Sequence, residues 1–75
     1  MKPDELREFF IAKGWLPKMS SFISPNGEIK YKLGKNSLQR FVKVESGWMK
    51  VRSMYYKDIS INPETGKLKI AKYIR

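Results

Sequence analysis

Residues 38–56, LQRFVKVESGWMKVRSMYY, hold two alternating runs on either side of Ser46-Gly47. Tight two-residue connections use glycine because it takes positive φ freely, so the stretch reads as a β-hairpin. With Ser46-Gly47 as the loop, Lys43 faces Lys50, Val42 faces Val51 and Phe41 faces Arg52. Side chains alternate across a strand, which sorts the hairpin onto two faces. One face takes Val42, Val44, Met49 and Val51 and has the composition of a core. The other takes Phe41, Lys43, Trp48, Lys50 and Arg52, with Met54 and Tyr56 further out. Lysines do not suit a core, and Trp, Phe and Tyr do not suit a solvated surface. A mixed basic and aromatic face points to binding rather than to chemistry.

Working outward, residues 2–13 carry Leu6, Phe9, Phe10 and Lys13 at helical spacing, with Pro3 and the acidic Asp4 and Glu5 in the first turn. Both features favour a helix start, and Gly14 followed by Pro17 favours its end. The spacing predicts a helix lying over one sheet face. Residues 19–24 and 28–33 read as strands joined by Pro25-Asn26-Gly27. Residues 58–62 and 67–74 form a last hairpin in which Ile61 meets Leu68 and Ile59 meets Ile70. The expected fold is α+β, one small basic domain over residues 1–75. Its N-terminal helix packs on a five- to six-stranded antiparallel meander, with partial closure into a small barrel as one way of ending the sheet. The helix should cover the face richer in Ile29, Tyr31, Leu33 and Val42, leaving Phe41 and Trp48 open.

The balance of 16 Lys and Arg against 7 Asp and Glu gives a net charge of +9. So much charge on so short a chain attracts polyanions at long range. Most of these residues are lysine, which suits phosphate contact better than bidentate base reading. Arg40-Phe41-Val42-Lys43-Val44 resembles the core strand of the RNA-recognition motif, without its glycine–aromatic half or its βαββαβ order. With no cysteine there is no disulfide or thiolate site. The absence of histidine as well removes the usual bases, nucleophiles and soft metal ligands. No catalysis, metal or cofactor is expected. An acidic start and the lack of an apolar segment lead to the expectation of a cytoplasmic protein without a membrane partner.

The sequence therefore leads to the expectation of a non-enzymatic nucleic-acid-binding protein, taking single-stranded DNA or RNA ahead of duplex. Phe41, Trp48 and Tyr56 would stack on bases, and Lys43, Lys50 and Arg52 would contact phosphates. The alternative is a small interaction or inhibitor module, of the phage or mobile-element kind, docking on an acidic partner protein. Aromatic residues, Met54 and Arg52 suit an interface core, whereas Lys43 and Lys50 at its centre do not.

Overall fold

Phe10 decides how the helix and sheet meet. In the computed structural model, which describes residues 1–74, the chain opens with helix α1 (Pro3–Ala12). Pro3 sits in its first turn, and the Glu5 carboxylate accepts the Lys2 backbone N–H at 2.8 Å. Gly14, at φ +82°, ends the helix by turning the chain so that the Trp15 N–H reaches the Phe10 carbonyl at 2.9 Å. This left-handed cap satisfies a terminal carbonyl and folds Trp15 back over the last turn. The Trp15 ring lies 5.0 Å from that of Phe10.

Five strands follow in a simple meander: β1 (Leu16–Lys18), β2 (Ser21–Ile23), β3 (Ile29–Leu33), β4 (Ser37–Val44) and β5 (Gly47–Tyr55). They pair in that spatial order, all antiparallel. Pro17 is tolerated because β1 is an edge, where a missing N–H costs no ladder bond. A 3₁₀ turn (Tyr56–Asp58) then leads to β6 (Ile59–Ile61) and β7 (Leu68–Ile70), which form a separate two-stranded sheet. Its pairs, Ile59 with Ile70 and Ile61 with Leu68, are those expected from the sequence. The architecture is α+β, and the expected five- to six-stranded meander is present as five strands, with the last hairpin set apart as its own two-stranded sheet; among the described residues no barrel closes. β1 and β5 remain opposite edges of an open sheet, β5 being met on its outer side only by a single bridge in which the Ile74 N–H donates to the Ser53 carbonyl at 2.7 Å.

Phe22 and Tyr31 are cross-strand neighbours, and Phe10 stacks on both at 5.3 and 5.2 Å. Leu6, Leu38, Met54 and Ile59 complete the buried cluster with Phe10 and Phe22. Burial raises the pKa of the Tyr31 hydroxyl, against a smaller opposing effect of the Arg40 charge. The Met1 amino group donates to the carbonyls of Tyr56 and Ile59, both at 2.7 Å, tying the start of the chain to the 3₁₀ turn.

Three expectations are corrected. Residues 19–24 are not one strand: Met19 and Ser20 form a two-residue loop between Lys18 and Ser21. The β4–β5 loop is Glu45-Ser46, and Gly47 already pairs with Val44. A primed turn at Ser46-Gly47 would need positive φ at Ser46, whereas in the structure Gly47 alone takes it, at +132°. Finally, the β4–β5 ladder steps between Arg40 and Phe41: Phe41 pairs with Lys50 and Arg40 with Arg52, leaving Val51 as an extra residue in β5. This is a β-bulge, and beyond it the two faces of β5 exchange.

Met19 is the one non-glycine residue with positive φ among those described, at +56°, and its side chain is 94% exposed. The left-handed region costs an L-residue about 1–2 kcal/mol, a cost glycine escapes. Met19→Gly should therefore raise folding stability by about 1 kcal/mol, read as a higher denaturant midpoint at unchanged slope. A lower midpoint would show that the turn is not strained.

Candidate nucleic-acid interface

The bulge at Val51 sorts the residues that the sequence had placed together. Before it, Lys43 pairs with Trp48 and Phe41 with Lys50, and these four share the sheet face turned away from α1. After it, Arg52 pairs with Arg40 and Met54 with Leu38, on the helix side. Met54 is consequently core, and the Arg52 guanidinium lies 4.7 Å from the Tyr73 ring. Tyr56 is in the 3₁₀ turn, packs against the core and donates its hydroxyl to the Gly34 carbonyl. Burial raises the pKa of this hydroxyl. Of the six expected site residues, Phe41, Lys43, Trp48 and Lys50 come together; Arg52 and Tyr56 do not join them.

Register also corrects the expected pairing of Lys43 with Lys50. Each lysine stands opposite an aromatic ring instead, an arrangement that attracts rather than repels. Like charges meet directly only on the other face of this ladder, at Arg40 and Arg52.

The helix-free face extends well beyond the hairpin. Reading the ladders across the sheet, Leu16, Ile23, Lys30, Phe41 and Lys50 form one continuous row. The neighbouring row begins Lys18, Ser21, Lys32 and Gln39. Lys30 is the central cation. Its Nζ is 4.8 Å from the Phe41 ring and 5.0 Å from that of Trp48, while Lys43 Nζ reaches Trp48 at 5.6 Å. All three distances lie within cation–π range. On the strand positions of this face no carboxylate is present; Glu28 and Glu45 lie beyond the strand ends.

Sequence reasoning missed Lys30, Lys32 and Lys18 as members of this surface. Their alternation with Ile29, Tyr31 and Leu33 marked Lys30 and Lys32 as outward-facing. Their adjacency to Phe41 depended on strand order and register, which no local pattern carries. A cleft of about 460 Å³ lies between α1 and the β6–β7 loop on the covered side, lined by Phe9, Trp15, Tyr31, Lys13 and Lys67. It is the seam where the helix, sheet and last hairpin meet.

Comparison with protein-family models, curated proteins and solved structures finds no match for this chain. No helix among the described residues is long and apolar enough to cross a membrane.

Trp48 is half-buried and lies outside the core cluster, whereas Phe22 is at its centre. Trp48→Ala should lower stability by no more than about 1–1.5 kcal/mol, against about 3–5 kcal/mol for Phe22→Ala. Equal losses in paired denaturation curves would make Trp48 a core residue.

Proposed function

We propose that the protein binds single-stranded nucleic acid, without catalysis, through the helix-free face of its five-stranded sheet. The observation that carries this reading is the interleaving of Phe41 and Trp48 with Lys30, Lys43 and Lys50 on an uncovered surface. Rings offer a stacking face to any base, and ammonium groups on flexible stems follow the phosphates. In the free protein the Lys30 and Lys43 ammonium groups rest against the rings. A bound strand would exchange those contacts for base on ring and phosphate on ammonium. The net charge of +9 gives the long-range attraction.

The width of the sheet favours a single strand over a duplex. A two-stranded ribbon fits a major groove about 12 Å wide. Here β4 is paired on both sides, so the hairpin is not a free ribbon. Five strands at about 4.8 Å spacing span roughly 19 Å. A surface of that breadth suits a strand laid across it, with its bases turned to the protein.

Titration with a fluorescently labelled oligothymidylate tests the reading. Affinity should be measurable at about 20 mM salt and fall with a log–log slope of roughly −2 to −3.5, for three to five displaced counterions. Trp48→Ala should weaken binding by about 1–3 kcal/mol if its ring carries a base. No binding at low salt to either single strand or duplex would contradict the proposal and leave an acidic protein as the partner the surface suits.

A further inference from the structure

Beside the Phe41–Trp48 platform, the same face hollows into a groove of about 400 Å³. Met19 and Ser20 of the β1–β2 turn line it together with Ser21, Ile23 and Trp48. Lys18, Lys30 and Lys32 supply three ammonium groups, and no carboxylate is among the lining residues. Lys18 and Lys32 flank Ser21 in one cross-strand row, so both project to this side of the sheet. The volume lies within the range of small-ligand sites.

Met19 sets this groove apart from a chance depression. A large apolar side chain stands almost fully exposed at a turn position whose φ of +56° glycine or asparagine would occupy with less strain. The strained turn holds that side chain at a groove that an indole and three cations also line. An apolar side chain, an indole and lysines lining one groove are complementary to a flat base carrying a phosphate.

We propose that this groove is a nucleotide subsite, in which a base lies between Met19 and Trp48 and its phosphate is taken by Lys18 and Lys32. The proposal rests on the single-strand reading above and deepens it. The footprint then runs across the whole sheet, from the β4–β5 hairpin to the β1–β2 turn, rather than over the hairpin alone.

The test uses the full chain, a labelled single-stranded oligothymidylate of about eight nucleotides, a size within the range of small single-strand folds, and an abasic deoxyribose-phosphate oligomer of equal length. Met19→Gly and Met19→Asn both suit the left-handed turn and remove the apolar side chain. Each should bind the oligothymidylate about 3- to 10-fold more weakly, the loss expected for one or two methyl-sized contacts, and the abasic oligomer as well as the parent does. Lys32→Glu should weaken oligothymidylate binding about 10-fold more than Lys69→Glu, which makes the same charge change on the separate β6–β7 sheet. Parental affinity for oligothymidylate in both Met19 variants overturns the subsite, as does an equal loss in Lys32→Glu and Lys69→Glu. In either case the platform reading stands if Trp48→Ala still weakens binding. Absence of binding by the parent protein at low salt removes both.

Discussion

Phe10 lies at stacking distance from two rings that are themselves cross-strand neighbours, Phe22 and Tyr31. That contact ties the helix to one face of the sheet. The one α-helix among the described residues is ten residues long and covers a single face. Once Phe10 has chosen the side of Phe22 and Tyr31, the side of Phe41 and Trp48 remains uncovered. Small domains bury a limited share of their surface, so the apolar groups left outside are informative about function. Here they are interleaved with lysines, which hold the rings in solvent without creating a purely apolar patch.

The second constraint is the bulge at Val51. Trp48 and Met54 are six residues apart, and unbroken alternation would set them on one face. The core needs Met54 against Leu38, and the open face holds Trp48 beside Lys43. One extra residue in β5 meets both demands. It also interrupts an edge strand, as does Lys50 with its charge, and both devices discourage pairing with another chain.

Much of this was legible from local signals. The helix, its glycine stop, the Pro25-Asn26-Gly27 turn and the register of the last hairpin all followed from spacing and turn chemistry. So did the choice of face, because Leu6, Phe9 and Phe10 pair naturally with the richer apolar side. The bulge was not legible, because a period-two reading assumes that alternation continues; Arg52 and Met54 were assigned to the wrong face for that reason, while Tyr56 lies past the end of β5 in the 3₁₀ turn. The expected core was displaced as well. Met49 and Val51 are 50% and 39% exposed, because ten helical residues reach only about 15 Å and leave the hairpin end uncovered. Lys30 entered the candidate site through a ladder between β3 and β4, information that resides in the pairing of strands and not in either strand.

Trp15 and Trp48 report from opposite faces: Trp15 packs against Phe10 and Tyr31 under the helix, and Trp48 lies beneath Lys30 and Lys43 on the open side. Their indole N–H resonances, followed by NMR during titration with a single-stranded oligonucleotide at low salt, test the central claim directly. The account predicts that the Trp48 resonance shifts progressively to saturation while that of Trp15 stays in place. Movement of Trp15 with Trp48 unchanged would contradict it and transfer binding to the helix side of the sheet.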